Sequence, residues 1–451
     1  MIDHVAIIGA GFSGTLQAIN LLRHDGPRAT LIERSPVAGE GLAYGAAHPS
    51  HVLNVRAGNM SAFPDDPAHF VRWLEAQGVE NAAGSFAARV TYGRYLRGLL
   101  DEAVEAHGDR LTVLRGDVRN VRETGDGVTI ELADNKLLNA DAAVLAVGNL
   151  PPHDPPGLDP ATLSADLYKG DPWDSSVPQG LGADDRILII GTGLTMVDVA
   201  LMLEATGYEG KIIALSRRGL MPRPHADAGA DWSRINARPD TAASKLVQNL
   251  RARGRTIGWR NAVDELRPFT QGMWANASLA ERARFLRHLR PWWDVHRHRL
   301  APHVYARIAA MQERGQLKIV AGNTQGFAAE GNGVAVKWRP RGHNESETLH
   351  VRRVINCTGP LGDLARTTDP LLMALRDEGL IRPDAAHLGI DVTASGQVVG
   401  TNGVPSDHIY ALGPMTRGAF WEIVAVPDIR RQTWDVARRL SNAHWVGGEG
   451  L

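Results

Sequence analysis

The chain has 451 residues, a formal net charge of −1 and 43% apolar residues, a length that accommodates two or three globular domains. The balanced charge argues against a nucleic-acid partner, and no apolar run is long enough to cross a membrane. Cys357 is the only cysteine and Met1 lies directly before a strand-like run, so we expect no internal disulfide, no signal peptide and a cytoplasmic location.

The first predicted elements are a buried strand and a glycine-rich turn. Val5 to Ile8 is fully apolar, as in a parallel strand covered on both faces, and it runs into the turn Gly9-Ala10-Gly11-Phe12-Ser13-Gly14. Such a turn leaves room for a pyrophosphate at the start of the next helix, expected at Thr15 to Arg23. A second strand is predicted at Ala29 to Ile32, and Glu33 at its end is placed to bind an adenosine ribose. The alternative is a tight structural turn.

A glycine-punctuated loop and a long polar segment follow the second strand. The loop contains Arg34 and Gly41, and we expect it to lie along the cofactor. The segment 48–70 is too irregular for a strand or a helix, and long loops of this kind are usually functional. Asn54 and Arg56 are therefore candidates for contacts with an aromatic cofactor ring. The alternative is that the asparagines of this segment only satisfy their own turns.

The rest of the first unit is predicted as one helix and four strands. They lie at Tyr92 to His107, Leu111 to Val113, Val118 to Val121, Val128 to Leu132 and Ala142 to Val147. The last strand ends in Gly148, and a proline-rich stretch comes after it. Because dense proline supports neither a helix nor a regular strand, we expect the chain to cross between domains near residues 151–157.

The opening pattern returns in the second half of the chain. The apolar run Arg186 to Ile190 leads into a second turn, Gly191-Thr192-Gly193-Leu194-Thr195-Met196, with a helix and a strand predicted to follow at 197–205 and 211–215. From Gly191 to Ser216 is 25 residues, against 24 from the first turn to its acidic residue. The triplet Ser216, Arg217 and Arg218 therefore takes the place of the carboxylate. A hydroxyl and two guanidiniums favour a 2′-phosphate, which predicts NADPH. The alternative is a surface arginine pair.

Residues 226–312 depart from this pattern, and we interpret them as a helical insertion. They contain five of the eleven tryptophans (Trp232, Trp259, Trp274, Trp292 and Trp293) and predicted helices at Thr241 to Arg251, Leu279 to His288 and Pro302 to Arg314. The motif at 292–299 includes His296 and His298, but histidines two apart on a helix point in different directions, which disfavours a metal site. Packing, surface and cofactor- or substrate-facing roles remain open for both.

The C-terminal part contains strands and a final helix. Strands are predicted at Leu317 to Val320, Val334 to Trp338 and Val351 to Ile355, the last of these leading to Gly359. A further strand at Ile409 to Leu412 ends at Gly413, and a helix is predicted from Trp421 to Leu440 with a potential kink at Pro427. Because this tail has no phosphate turn of its own, we expect it to complete the first domain.

These motifs resemble the flavoproteins with two dinucleotide-binding domains. The resemblance is carried by the two glycine turns, Glu33, the A-V-G and C-T-G strand ends and the terminal I-Y-A-L-G. It implies an α/β fold with two Rossmann-like domains, one for FAD and one for NAD(P)H, and with the helical insertion in the second. The expected domains are 1–155 (FAD), 156–360 (NAD(P)H, with the insertion at 226–312) and 361–451 (the return to the FAD domain).

Within that superfamily, the strings L-N-V-R-A-G-N-M-S-A-F-P and W-W-D-V-H-R-H-R are most similar to bacterial FAD/NAD(P)-binding proteins of largely unassigned activity. The nearest mechanistic relatives are flavin-containing and amine N-hydroxylating monooxygenases. The motifs and the resemblance together assign FAD contacts to Gly9, Gly11, Phe12, Ser13, Gly14, Glu33, Arg34, Gly41, Asn54, Val118, Gly148 and Gly413. They assign NADP contacts to Gly191, Gly193, Leu194, Thr195, Ser216, Arg217, Arg218 and Gly359. No catalytic side chain and no metal ligand is assigned.

Two departures limit what the resemblance implies about the reaction. Pro414 stands where the superfamily usually has an aspartate that holds the flavin chain. The F-x-G-x-x-x-H-x-x-x-W-P string of flavin-containing monooxygenases is absent, with only a distant echo at Tyr168 to Trp173, and a single cysteine excludes the thiol pair of the disulfide reductases.

Three functions therefore remain as hypotheses. The first is a monooxygenase in which NADPH reduces FAD, oxygen forms a flavin C4a-hydroperoxide, and a small nucleophile, with an amine as one candidate, receives one oxygen atom. The second is an NADPH:acceptor oxidoreductase without oxygen activation, and the third is a non-catalytic redox sensor. The expected partners are a small-molecule substrate and, for a monooxygenase, molecular oxygen, whereas the acceptor of the second hypothesis is a quinone or a protein. The insertion is the segment expected to determine the substrate. The sequence leaves the oligomeric state open.

Overall fold

The computed structural model describes residues 2–226 and 239–441. Its first sheet is built from both ends of the chain. In sheet order its strands are β15 (Gln397–Val399), β16 (Pro405–Ala411), β7 (Ala142–Leu145), β1 (His4–Ile8), β2 (Arg28–Glu33) and β3 (Leu111–Arg115). All pairs are parallel except β15 with β16. Every residue of β1 is buried, as its unbroken apolar run predicts for a central parallel strand.

Helices cover one face of this sheet and a small antiparallel sheet lies on the other. The helices of this unit are α1 (Phe12–Arg23), α2 (Gly41–Gly45), α3 (His69–Ala76), α4 (Arg89–His107), α12 (Pro370–Asp377) and α13 (Val426–Leu440). Side chains of α1, α4 and α13 share one apolar core with β1. The small sheet consists of β4 (Val118–Glu123), β5 (Val128–Leu132) and β6 (Leu137–Ala140), and it packs against a second core on the opposite face.

The second sheet has seven strands. In sheet order they are β13 (Glu347–Val351), β12 (Gly333–Pro340), β11 (Leu317–Glu330), β10 (Lys211–Ser216), β9 (Arg186–Ile190), β14 (Arg353–Asn356) and β8 (Tyr168–Lys169). The strands from β11 to β8 are parallel, whereas β12 and β13 form an antiparallel extension. Helix α5 (Leu194–Ala205) connects β9 to β10 and shares a core with α11 (Pro302–Glu313).

A group of helices separates β10 from α11. It contains α6 (Ala243–Ile257), α7 (Trp259–Asp264), α8 (Thr270–Asn276), α9 (Leu279–Arg284), a π-helical turn (Phe285–Leu289) and α10 (Arg290–Arg297). Short 3₁₀ turns complete the secondary structure, at Ala57–Asn59, Ala82–Gly84, Gly108–Arg110, Pro160–Thr162, Arg267–Phe269, Leu364–Arg366 and Gly413–Thr416. The predicted insertion is therefore helical where it is described, but Trp232 lies outside the described residues. Across 2–226 and 239–441, no helix has the length and apolar character needed to cross a membrane.

Several predicted helices have other bounds in the structure, as with the one predicted over 241–251, which is α6 (Ala243–Ile257). The helix predicted from Trp421 begins only at Val426, and Pro427 occupies its first turn instead of kinking it. Proline is accommodated there because the first N–H groups of a helix need no intrahelical acceptor. The helix predicted over 279–288 ends at Arg284 and continues as the π-helical turn.

Three further predictions differ from the structure. The strand predicted over 351–355 is the end of β13 and the start of β14, which pair with different neighbours. The segment 48–70 is not free of helix, since it contains a 3₁₀ turn and the first residues of α3. Strand β11 also runs well past the predicted Val320, because its second half pairs with β12 after a bulge between Thr324 and Gly326.

Candidate cofactor-binding site

The first glycine turn joins β1 to α1 and is tightly enclosed by its own backbone. Gly9 has a φ of +100°, and a Cβ added to it would lie 2.5 Å from the carbonyl oxygen of Ala146. A Cβ at Gly14 would lie 1.8 Å from the oxygen of Gly9. Larger residues are therefore excluded at these two positions by the fold itself, which holds β1, α1 and β7 close together.

Gly11 differs from its neighbours because nothing in the fold requires a glycine there. Its φ of −76° is open to any residue, and a Cβ would make only an ordinary 3.5 Å contact with the Cα of Gly41. The glycine leaves room directly at the N-terminus of α1, where the first backbone N–H groups have no intrahelical acceptor. This arrangement fits the pyrophosphate of a dinucleotide.

Glu33 is held beside the turn by backbone hydrogen bonds. Its Oε2 accepts from the N–H of Ala10 at 2.8 Å, and its Oε1 accepts from the N–H of Ser35 at 2.8 Å. Each carboxylate oxygen retains a further lone pair for a ribose hydroxyl. The loop that follows closes over the turn, since Gly39 donates to the carbonyl of Ala10 at 2.8 Å and a Cβ at Gly41 would lie 2.7 Å from the Cα of Gly11.

The C-terminal strand brings Gly413 to the same turn. Gly413 has a φ of +74°, and a Cβ there would lie 2.5 Å from Oγ of Ser13. Its N–H donates to Oε1 of Gln432 at 2.8 Å, and Pro414 is the second residue of the 3₁₀ turn that begins at Gly413. Gly148, after β7, has a φ of +71°. Positive φ values explain the glycines at 148 and 413 without a ligand.

The remaining predicted FAD residues have contacts within the protein. Arg34 is 60% exposed and pairs with Asp369 at 3.2 Å. Phe12 is buried in the core below the turn, and Val118 is buried in the core that includes Ile32. The carbonyl of Asn54 accepts a hydrogen bond from Nε2 of His225 at 2.9 Å, so this loop contacts the second unit.

The second glycine turn repeats the geometry of the first. Gly191 has a φ of +119°, and a Cβ there would lie 2.1 Å from the carbonyl oxygen of Cys357, just as Gly9 faces Ala146. At Gly193 the φ is −87°, and no heavy atom of the described chain lies within 4 Å of an added Cβ. Met196, in the place of the third glycine, is fully buried in the core around α5. A second site with room for a phosphate group thus lies at the N-terminus of α5, with Leu194 and Thr195 in its first turn. We call these two sites, at α1 and α5, the first and second cradle.

The residues predicted to determine which coenzyme binds lie at the end of β10. Oγ of Ser216 is 2.8 Å from Oγ1 of Thr192 and accepts from the N–H of Gly219 at 3.0 Å. Arg217 is exposed, and Nη2 of Arg218 is 3.5 Å from the carbonyl of Arg287. Gly359 follows β14 with a φ of +91°.

A buried ion pair that sequence analysis did not identify links the two units. Nη2 of Arg89 on α4 lies 2.8 Å from Oδ2 of Asp198 on α5. Burial raises the pKa of Asp198 to about 6, partly offset by Arg89. Burial, reinforced by Arg89 and His48, lowers the pKa of His51 to about 4.

The motif at 292–299 has a partner that sequence analysis also missed. Nε1 of Trp293 donates to Oε1 of Glu422 at 2.9 Å, Nε of Arg297 is 3.3 Å from Oε2, and Nε2 of His298 is 3.7 Å from Oε1. Glu422 is 2% exposed and has a φ of +71°. His296 instead packs edge-on against Trp259. Within the described ranges, no group of three His, Cys, Asp or Glu residues is arranged to hold a metal ion.

Comparisons with known proteins found one protein-family model that matches part of the chain. Residues 6–150 match the family model described as FAD-NAD(P)-binding. No match to the chain was found among curated proteins.

Solved structures similar in fold cover nearly the whole chain. An ornithine hydroxylase from Pseudomonas aeruginosa has 15% identity and a TM-score of 0.67, with 98% of this chain and 99% of that chain covered. A cadaverine monooxygenase from Erwinia amylovora, bound to FAD, has 11% identity and a TM-score of 0.68, with 98% and 95% covered. A thioredoxin reductase from T. acidophilum has 14% identity and a TM-score of 0.54, with 98% of each chain covered.

These findings confirm the predicted fold class and the predicted resemblance to flavoproteins. The family match covers the segment in which the first glycine turn predicts a dinucleotide-binding domain. Residues 6–150 are therefore similar to the FAD-NAD(P)-binding family, and nearly the whole chain shares its fold with the solved hydroxylase and monooxygenase structures.

Proposed function

We propose that the protein is an FAD-dependent, NADPH-using monooxygenase that acts on a small nucleophilic substrate, with an amine as the leading class. The observation that carries the proposal is the pair of cradles at α1 and α5. In each, the middle glycine (Gly11 or Gly193) has an ordinary backbone conformation and room for a side chain. A glycine that the fold does not need is explained by a ligand that approaches the backbone closely.

The side chains that lie beside the two cradles assign them to different cofactors. Glu33 offers a carboxylate to the first cradle, which suits a ribose with free hydroxyls. Ser216, Arg217 and Arg218 offer a hydroxyl and two cations to the second, which suits a 2′-phosphate. We therefore assign FAD to residues 1–155 and 361–451, and NADPH to residues 156–360.

Oxygen transfer to an amine is supported by the comparisons at the level of fold. The ornithine hydroxylase and the cadaverine monooxygenase both share the two-domain architecture along almost the full chain. In the proposed reaction NADPH supplies two electrons, one oxygen atom is transferred to the substrate, and the other leaves as water. FAD supplies the redox chemistry, and the chain binds both cofactors and limits access of water to them.

A second candidate is an NADPH:acceptor oxidoreductase that passes electrons to a quinone or a protein without oxygen activation. The fold also resembles a thioredoxin reductase. Cys357 is the only cysteine in the sequence and is buried, so a dithiol cannot carry the electrons in this chain. A non-catalytic redox sensor is the third candidate, and it predicts no turnover with NADPH.

The deciding experiment follows the flavin of the purified holoenzyme by stopped-flow absorbance. NADPH is first mixed with the oxidised enzyme without oxygen, and the reduced enzyme is then mixed with oxygen. A monooxygenase should show rapid reduction, followed by a long-lived band that belongs to neither oxidised nor reduced flavin. Direct return to the oxidised spectrum would favour the acceptor oxidoreductase, and no reduction by NADPH would favour the sensor.

A further inference from the structure

The helical insertion contains a pocket with aromatic walls. Its cavity volume is about 70 Å³, which is room for several water-sized groups. Leu246, Trp274, Phe285 and Trp293 come from the insertion, and Trp421 comes from the segment after β16. The pocket is therefore closed on one side by the first unit.

The aromatic side chains present carbon atoms to the pocket. Trp274 and Trp421 are stacked with ring centroids 4.7 Å apart, and Phe285 packs edge-on against Trp421 at 5.2 Å. Two of the three indole N–H groups in the walls are used elsewhere. Trp274 donates to the carbonyl of Gly418 at 2.8 Å, and Trp293 donates to Glu422. The surface that these side chains offer a ligand is therefore mainly apolar ring surface.

The polar side chains at the edge of the pocket also have partners in the protein. Arg282 donates from Nε to the carbonyl of Trp274 at 3.0 Å and from Nη2 to that of Ala275 at 3.1 Å. Glu281 accepts from the N–H of Ala243 at 3.2 Å, and Thr270 donates to the carbonyl of Arg267 at 3.0 Å. A charged ligand would lose its hydration here without new hydrogen bonds in return.

We propose that this pocket binds an uncharged, apolar part of the substrate, such as an aromatic ring or an alkyl chain. The term substrate rests on the proposed function. The wall residue Trp421 follows closely on the 3₁₀ turn Gly413–Thr416, whose first residue contacts the first glycine turn through Ser13. One short segment thus contacts both the flavin cradle and the pocket. Ornithine and cadaverine carry charged ends that such walls do not match.

The test uses prodan, a neutral naphthalene fluorophore, with the flavin-loaded full chain. Prodan should bind saturably with a fluorescence change, and Leu246→Glu should weaken its binding by roughly 10-fold or more, because it places a carboxylate on the apolar wall. Val247→Glu is the matched control. Val247 lies next to Leu246 on α6, is also partly exposed, and does not line the pocket. It should leave prodan binding within about 2-fold, since no wall atom changes.

Phe285→Ala is a second test that adds no charge. It removes one wall of the pocket, and prodan binding should again weaken while flavin content stays unchanged. The absence of saturable binding, or equal weakening by the Leu246 and Val247 variants, would overturn the inference. NADPH-driven flavin reduction on the same preparations tests the proposed function separately. Normal reduction without prodan binding overturns the pocket alone, whereas prodan binding without reduction overturns the proposed function.

Discussion

The hydroxyl of Ser216 lies at the end of β10, where we propose that the 2′-phosphate of NADPH binds. It is fixed by Thr192 and by the N–H of Gly219, and Arg217 and Arg218 follow it directly. A 2′-phosphate near this hydroxyl would meet two guanidiniums, each able to form charge-assisted hydrogen bonds. The same position in the first unit holds Glu33, which repels phosphate. The residue at this strand end is a glutamate in the first unit and a serine in the second. This difference distinguishes the proposed FAD site from the proposed NADPH site.

The coenzyme preference can be tested at Arg217 and Arg218. A hydrogen bond to a charged group contributes about 1.5 to 3 kcal/mol, so Arg217→Ala or Arg218→Ala should weaken NADPH binding roughly 10- to 100-fold. NADH, which has no 2′-phosphate, should be nearly unaffected. The measurement is the rate of flavin reduction against coenzyme concentration. Equal losses for both coenzymes, or a wild-type preference for NADH, would contradict the assignment.

The contributions of His51 and Asp198 to stability change in opposite directions with pH. Both side chains are almost fully buried. Between its folded pKa of about 4 and its ordinary value of 6.5, His51 takes up a proton only on unfolding, so its contribution rises with pH. Between its ordinary value of 3.8 and its folded pKa of about 6, Asp198 holds its proton better in the folded state, so its contribution falls as pH rises.

The pH-dependent contributions of His51 and Asp198 to the unfolding free energy should nearly cancel in the wild type. Each should become measurable when the other residue is replaced. At about 1.4 kcal/mol per pKa unit, each amounts to roughly 3 kcal/mol. The unfolding free energy of His51→Gln should fall by about that amount from pH 4 to 6, and that of Asp198→Asn should rise over a similar range. Urea unfolding across this pH series measures both. Two variants with the same pH profile would show that burial does not shift the pKa values of His51 and Asp198 in opposite directions.

At the scale of elements, α10 is attached to the C-terminal segment through one carboxylate. Burial raises the pKa of Glu422, but His298, Arg297, Trp293 and Arg417 together outweigh it and hold the pKa below its usual value. The carboxylate is therefore ionised at neutral pH and holds the insertion against the segment that precedes α13. The same contact orients Trp293, a wall of the pocket.

Removing this charge should loosen α10. Glu422→Gln leaves the largely buried Arg297 without its counter-ion, and breaking such a buried pair costs about 3 to 5 kcal/mol of unfolding free energy. Arg284→Ala removes an exposed pair with Glu281 in the same insertion and should cost less than about 1 kcal/mol. Urea unfolding gives the free energies, and hydrogen exchange of the α10 amides locates the change. Similar costs for the two variants would contradict this role of Glu422.

At the scale of the molecule, polar contacts are among those that join the two units and their separate cradles. Arg89 on α4 pairs with Asp198 on α5, and Asn54 accepts from His225. Nη2 of Arg56 donates to the carbonyl of Ala226 at 2.7 Å. The middle glycine of each cradle can be changed without a clash with the chain's own backbone, so each cofactor can be removed independently.

Gly11→Val and Gly193→Val form a matched pair, each the control for the other. Gly11→Val should fold but lose FAD, because its side chain would occupy the space for the pyrophosphate. Gly193→Val should keep FAD at wild-type stoichiometry, yet its flavin reduction by NADPH should need at least about 10-fold more coenzyme. Flavin absorbance and circular dichroism check content and fold. Retention of stoichiometric FAD by a folded Gly11→Val protein would show that the first cradle is misassigned.

The sequence by itself determined the features that depend on a few neighbouring residues. Strands β5 and β9 have the predicted bounds, and both glycine turns follow their predicted strands. An unbroken apolar run specifies a buried parallel strand, and a glycine at a position of positive φ, such as Gly9 or Gly191, specifies a sharp turn. These requirements are local, so they can be read without knowledge of the rest of the fold.

Only the tertiary structure decided which distant side chains meet. The pairing of Arg89 with Asp198 and the convergence of Trp293, Arg297 and His298 on Glu422 join residues from separate units. The aromatic pocket likewise needs Trp421 to close walls formed by the insertion. Such contacts depend on how the sheets and helices are arranged in space, and a single sequence encodes that arrangement only through the summed packing of the whole chain.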